Sequence, residues 1–284
     1  MDFTYKIKKA FRPETYTTAA AARNVYRLRW AMKVAPKKIR TLLSVYLDRE
    51  QRDLLRARKK KLNIDRLLSQ IDGQALGRIA QTYASGEQSI WTKYLDARKW
   101  LIRNVRLLKK LGLLIDPPRE VLDLGCGAGY FLFVLKQIGS RVVGVDLDHD
   151  PIFNEMVALL GIERLGLAIT RRLPLRELGS RKFDLITGWA ICFNNYDNEA
   201  TVWDSEDWDF LLNDLSQRLT PDGRIIFSLN PQLDGRFYSE EVGKLFARRS
   251  DLMDGRMVIF TKSRLDSTAK RTSTAIRPQT TNAR

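Results

Sequence analysis

At 284 residues, 44% of them hydrophobic, the chain is long enough for one sizeable core plus an appendage, and no apolar run approaches the roughly 18 residues that a membrane span needs. Two cysteines, Cys126 and Cys192, both in apolar segments, exclude a disulfide-stapled scaffold and fit a reducing, cytoplasmic compartment. The formal net charge of +16 is unevenly placed: residues 1–80 carry 20 Lys/Arg against 7 Asp/Glu, whereas residues 119–262 carry 17 against 22, so the basicity belongs to an extension.

Residues 1–85 read as a basic, all-helical region. Its first 40 residues carry early charges and no uninterrupted apolar stretch, so no secretory signal is expected. Thr15 to Ala35 is rich in alanine and arginine and is broken by Pro36, and from Lys38 to Ile71 apolar residues recur at helical spacing. Asp72-Gly73 and Ser85-Gly86 are breaks. Ile90 to Leu111 then predicts one amphipathic helix with Trp91, Tyr94, Leu95, Leu101, Ile102, Val105 and Leu108 along one side, stopped by Gly112. Pro117-Pro118 imposes an extended approach to a first strand. Strands are expected near 120–124, 141–146, 164–169, 183–188, 223–229 and 257–261, and helices near 130–138, 151–160, 206–219 and 239–248. This alternation predicts a parallel sheet with right-handed crossovers. One convincing strand follows Leu229, so any terminal hairpin is expected to be shortened. Residues 86–262 therefore form the α/β domain, and the Ser/Thr/Arg-rich residues 263–284 are expected to be a disordered basic tail.

The most specific signal is Val121-Leu122-Asp123-Leu124-Gly125-Cys126-Gly127-Ala128-Gly129-Tyr130-Phe131, followed by Val142-Val143-Gly144-Val145-Asp146. A strand ends in a glycine turn that leads into a helix, and the next strand ends in a carboxylate 21 residues after the first glycine. Glycines let a ligand approach the backbone, and an acid at that place accepts ribose hydroxyls. A dinucleotide fingerprint needs G-x-G-x-x-G, yet the pattern here is G-x-G-x-G led by Asp123, whose charge repels a pyrophosphate and suits an ammonium. These residues resemble the first motif of class I S-adenosylmethionine-dependent methyltransferases. The resemblance implies a Rossmann-like three-layer α/β sandwich, with strand order 3-2-1-4-5 plus an antiparallel edge, and S-adenosyl-L-methionine as cofactor. It implies that Asp123 faces the cofactor's amino group and that Gly125, Cys126 and Gly127 carry the backbone beneath its methionine end. Asp146 would bind the ribose and Leu147 would pack on adenine. Ala168-Ile169-Thr170-Arg171-Arg172-Leu173-Pro174-Leu175 is similar to the family's adenine loop, with Thr170 where many relatives hold an Asp. Phe183 to Trp189 resembles the fourth-strand motif, whose Gly188 end borders the reactive methyl. Tyr94, upstream, is expected to lid the cofactor.

Trp189, Asn194 and Asn195, at and after strand four, are the substrate-facing candidates. His149 reads as a surface-loop residue, Cys192 as core, and no metal-ligand cluster is visible. Trp203, Trp208, Asp204, Glu206, Asp207 and Asp209 either rim a pocket or charge a helix start. The Asn/Asp-Pro-Pro-aromatic tetrad of many amino-group methylating enzymes is missing, which points to a hydroxyl on a small or glycan-like acceptor. An RNA methyltransferase and a non-catalytic, cofactor-binding scaffold are the alternatives. The basic helices of residues 1–85, including Arg56-Ala57-Arg58-Lys59-Lys60-Lys61, suit a solvated or intrachain face, an anionic membrane surface or a nucleic acid. Lys-Tyr-Leu-Asp upstream, Gly-Tyr-Phe after the glycines and Ile-Cys-Phe-Asn after strand four also resemble a group of bacterial methyltransferase-domain proteins without an assigned acceptor. No catalytic residue, acceptor or oligomeric state is legible.

Overall fold

The computed structural model describes residues 62–84, 91–114, 117–190, 202–232 and 234–275. Seven strands among these residues form one sheet: β1 (Glu120–Leu124), β2 (Arg141–Asp146), β3 (Glu163–Gly166), β4 (Phe183–Trp189), β5 (Leu219–Ser228), β6 (Leu252–Asp254) and β7 (Met257–Thr261). Their spatial order is β3-β2-β1-β4-β5-β7-β6. The first five pair in parallel, β7 is antiparallel to β5, and β6 is antiparallel to β7. The helices are α1 (Ile64–Leu68), α2 (Gly73–Tyr83), α3 (Ala97–Leu111), α4 (Tyr130–Gln137), α5 (Pro151–Leu159), α6 (Ser205–Gln217), α7 (Glu240–Arg249) and α8 (Lys262–Ala275).

From β1 the chain winds outward through α4, β2, α5 and β3, then returns to β4 on the other side of β1. Right-handed crossovers therefore set α4 and α5 on one face of the sheet and α6 on the other. The winding reverses between β1 and β4, and a crevice opens at the carboxyl ends of strands at such a reversal. The strands that form this edge are packed in the core. Leu122, Leu124, Ile186, Ile225 and Phe227 are fully buried. Trp208 of α6 packs edge-on against Phe227 at 5.6 Å and Phe246 at 5.2 Å. Asp204 and Asp207 form a reciprocal capping box at the start of α6. Trp203 and Trp208 are thus core residues, and two of the acids beside them cap a helix.

The terminal hairpin is shortened as expected, with a three-residue β6. Three expectations need correction. The helix expected over 90–111 is interrupted: Thr92–Leu95 is a 3-10 turn, and α3 starts at Ala97, where the Asp96 carboxylate accepts the Lys99 N–H at 3.0 Å. A capping acid inside an apolar periodicity starts a new helix. The tail expected to be disordered begins instead with α8. Leu265 is fully buried, Ser216 Oγ donates to Asp266 Oδ1 at 2.9 Å, and Lys262 Nζ donates to the Ser216 carbonyl at 3.0 Å. Among its described side chains, one leucine and a few polar contacts anchor this helix, a pattern too sparse for periodicity to register. The boundary expected near residue 86 also moves, since α1 and α2 belong to the same compact unit as the sheet. The Tyr83 hydroxyl of α2 donates to Glu155 Oε1 of α5 at 2.5 Å. The helices expected over residues 1–61 lie outside the described residues. Among the described residues no helix is long and apolar enough to cross a membrane.

Candidate functional site

The glycine turn follows β1 and is folded back onto β2. Gly125, Gly127 and Gly129 have φ values of 68°, 52° and 77°, in the left-handed region. The N–H groups of Gly125 and Cys126 donate to the Val145 carbonyl at 2.7 and 3.2 Å. Gly127 N–H donates to Asp146 Oδ2 at 2.6 Å, and Leu147 N–H donates to Asp146 Oδ1 at 2.8 Å. The acid at the end of β2 therefore ties together the two loops it lies between, and each of its oxygens retains a lone pair for a further donor. Two small residues make this closure possible. A Cβ on Gly144 would stand 2.5 Å from Cys126 Sγ, so the thiol fills the space that a side chain would take. A Cβ on Gly166 would stand 1.8 Å from Asp148 Oδ2, and Arg164 Nη2 holds that carboxylate at 2.8 Å.

Asp123 is 2% exposed, and the Thr187 hydroxyl of β4 donates to its Oδ1 at 2.6 Å. Burial pushes its carboxyl up to about 8; the Thr187 hydrogen bond opposes this, and nearby Asp146 adds to it. Asp123 is thus a buried acid that keeps its proton at neutral pH until a cation lies nearby. Cys126 is also buried. Burial, followed by the charges of Asp123 and Asp146, pushes its thiol far above the usual range. It packs the turn, where burial disfavours the thiolate that a nucleophile needs.

Aromatic residues close one flank. The Phe153 ring of α5 lies 3.7 Å from where a Gly127 Cβ would be. Trp91 and Tyr94 meet Phe153 with ring centroids 5.1 Å away in each case, and Tyr94 stacks on Trp100 at 4.3 Å. The Tyr130 hydroxyl donates to the Tyr94 carbonyl at 2.8 Å. Tyr94 is therefore brought beside the glycine turn through Phe153. Phe153, Trp100 and Tyr130 were missed from sequence; the only hint was aromatic density on either side of the glycines.

Gly188 pairs with Leu124 on one side and Phe227 on the other, at the carboxyl end of β4. Trp189, next to it, is half-buried, with its ring edge-on to Phe131 at 5.1 Å. Ala190 then has a φ of 57°, uncommon for a residue with a side chain. Its N–H donates to the Ser228 carbonyl and its carbonyl accepts from Asn230 Nδ2, both at 2.8 Å. Those bonds hold Ala190 in this conformation at the end of β4. Thr170 is exposed in the loop after β3. Its neighbours Arg171 and Arg172 pair with Asp207 at 3.3 and 2.9 Å, and Arg172 also reaches Glu206 at 2.9 Å, which fastens this loop to the start of α6. Leu147 and Leu173, the two large hydrophobic side chains left exposed among the described residues, stand on the loops after β2 and β3. His149 is exposed. Among the described residues no cluster of three or more His, Cys, Asp or Glu could hold a metal. Asn194, Asn195 and Cys192 lie outside the described residues.

A family model described as a methyltransferase domain matches residues 95–265, well over half the chain. The ubiquinone biosynthesis O-methyltransferase of Bradyrhizobium diazoefficiens is 36% identical over 91 residues, 31% of this chain and 33% of that protein. The chain thus spans about a third of the length of this curated relative. The crystal structure of the N-methyltransferase NodS from Bradyrhizobium japonicum WM9, in complex with S-adenosyl-L-homocysteine, is similar with 15% identity and a TM-score of 0.43, over 66% of this chain and 96% of that one. The 16S rRNA N2 G1207 methyltransferase RsmC of T. thermophilus, in complex with AdoMet and guanosine, is similar with 21% identity and a TM-score of 0.39, over 57% and 42% of the two chains.

Proposed function

The chain belongs to the methyltransferase-domain family, and on that premise we propose that it transfers the methyl group of S-adenosyl-L-methionine to a hydroxyl of a small or glycan-like acceptor. The observation that carries the cofactor assignment is the double anchoring of Asp146, whose carboxylate is aimed at the glycine turn by Gly127 N–H and Leu147 N–H. The residues present fit that cofactor. Asp146 offers its remaining lone pairs to the ribose hydroxyls, and Leu147 and Leu173 offer apolar cover for the base. Buried Asp123 offers negative charge to the ammonium. Gly125, Cys126 and Gly127 carry the backbone past the methionine end, and Tyr94 flanks it with Phe153. Gly188 and Trp189 border the methyl. Thr170, exposed in the loop after β3, stands where a carboxylate could otherwise read the adenine amino group.

When bound, the cofactor supplies a sulfonium-activated methyl, so the chain's own task is alignment. Holding donor and acceptor in line can contribute about 7–11 kcal/mol toward the barrier. The hydroxyl acceptor is supported by the missing amino-group tetrad, with Trp189 and Ala190 opening the segment where it would stand, and by the O-methyltransferase name of the curated relative. Asn194 and Asn195 would orient that acceptor. The test is transfer from cofactor carrying a radiolabelled methyl to fractionated cell extract. Label in a small-molecule or glycan fraction is the expected result. Label confined to RNA overturns the acceptor class, and no transfer of label to any fraction favours a cofactor-binding scaffold.

A further inference from the structure

We propose that the solvent face of α3 docks the chain onto an anionic lipid surface. This proposal is independent of the methyl acceptor. Over the Ala97 to Leu107 part of the helix the exposed residues are Arg98, Lys99, Arg103 and Arg106, all cations, and this stretch contains no acidic residue. At about 100° per residue these four fall within a sector about 140° wide, on the side opposite buried Ala97, Leu101 and Asn104. Arg98 is paired with Asp65 of α1 at 2.5 Å, and the Arg103 guanidinium lies 4.8 Å above the Trp100 ring. Lys99 and Arg106 make no ion pair among the described residues.

What selects lipid over nucleic acid is the apolar material between the cations. Ile102 falls inside the cationic sector and is only partly buried, and partly buried Val105 and Leu107 flank it. A phosphodiester backbone makes no use of aliphatic side chains at its contact face. A membrane interface does: apolar side chains sink among the headgroups while Lys and Arg extend to the phosphates on their long stems. An interfacial helix of this kind needs no spanning segment, in keeping with the absence of one among the described residues.

The experiment is co-sedimentation of the full chain with vesicles of phosphatidylcholine alone and of phosphatidylcholine mixed with phosphatidylglycerol. Wild type is compared with Lys99→Gln/Arg106→Gln and with the charge-preserving Lys99→Arg/Arg106→Lys. Pelleting is expected only with the anionic vesicles, and should fade as salt is raised. Each cation near such a surface is worth about 1 kcal/mol, or about fivefold, so the double Gln variant should partition about 25-fold less and the charge-preserving one like wild type. Neither residue is in the cofactor site, so S-adenosylhomocysteine binding measured by calorimetry should be equal in all three proteins, which also verifies folding. Failure of wild type to pellet at low salt overturns the proposal. So does equal pelleting of wild type and the Gln variant, which would assign binding to other residues. Tighter binding to single-stranded RNA at matched salt, weakened by the same substitutions, overturns it in favour of a nucleic acid.

Discussion

Replacing Asp123 with Asn removes a titration and leaves almost everything else in place. The amide has the shape of the protonated carboxyl and can still accept the Thr187 hydroxyl through its oxygen. In the folded chain the Asp123 carboxyl is raised from 3.8 to about 8, so between those values the native state binds a proton that the unfolded chain has released. The stabilisation from this group is fully present below about pH 4 and is lost as pH rises through 8, at up to about 1.4 kcal/mol for each pH unit. From pH 6 to pH 8 the loss works out at about 2 kcal/mol, since the slope flattens near the titration point. The Asn variant has no such slope. Its stability relative to wild type should therefore improve by about 2 kcal/mol between pH 6 and pH 8, whatever fixed offset the amide introduces. Urea melts of both proteins at the two pH values measure this directly. A bound ammonium reverses the preference, so S-adenosylhomocysteine should bind wild type more tightly as pH rises and release a proton, whereas the variant should bind with little pH dependence. Parallel pH profiles for the two proteins would refute the assignment of a buried, proton-holding acid beside the glycine turn.

Asp146→Asn should raise the dissociation constant of S-adenosylhomocysteine by about tenfold to a hundredfold, because a hydrogen bond to a charged acceptor contributes about 1.5–3 kcal/mol; calorimetry showing unchanged affinity would contradict the ribose assignment. Gly144→Ala, with its Cβ 2.5 Å from Cys126 Sγ, should push the glycine turn off β2 and weaken the same ligand, with a lowered melting temperature to match. Cys126 should resist iodoacetamide at pH 8 in the native chain and react after denaturation, since only the thiolate alkylates and burial disfavours it; the peptide bearing Cys126, followed by mass spectrometry, reports this without interference from Cys192. Trp208→Ala should cost about 3–5 kcal/mol by opening a cavity against Phe227 and Phe246, read as a shift in the denaturation midpoint.

How much of this was legible in sequence follows from the range of the interactions. Strand boundaries at Glu120–Leu124 and Arg141–Asp146 could be read because contiguous apolar residues and the glycines that end them are local signals. The carboxylates Asp123 and Asp146 were legible for the same reason, being fixed by position relative to the turn. Partners from distant chain segments were not. Nothing near Asp123 announces Thr187, 64 residues away, and nothing near Tyr94 announces Phe153. Thr187 faces Asp123 because β4 returns beside β1, a consequence of the winding order and not of either local sequence. The pairing of Arg171 and Arg172 with the start of α6 was hidden in the same way, and so was α8, whose single buried leucine gives no periodic trace.

Three contacts that the sequence did not announce share a direction. Each fastens a loop at the carboxyl edge of the sheet to an element outside the strand that the loop follows: Asp146 joins the β2 loop to the glycine turn, Arg172 joins the β3 loop to α6, and Asn230 holds Ala190 at the end of β4. A crevice at a topological reversal comes with the winding, but its walls are loops, and loops hold their shape only if something ties them. Here the ties are charged or strongly polar groups, each reaching across to a backbone group or an ion-pair partner. Alignment is what methyl transfer asks of a protein. On the proposed function, cross-loop bonds of this kind would supply it, so substitutions at Asp146, Arg172 and Asn230 are expected to depress transfer, read with radiolabelled cofactor, more than they lower the melting temperature.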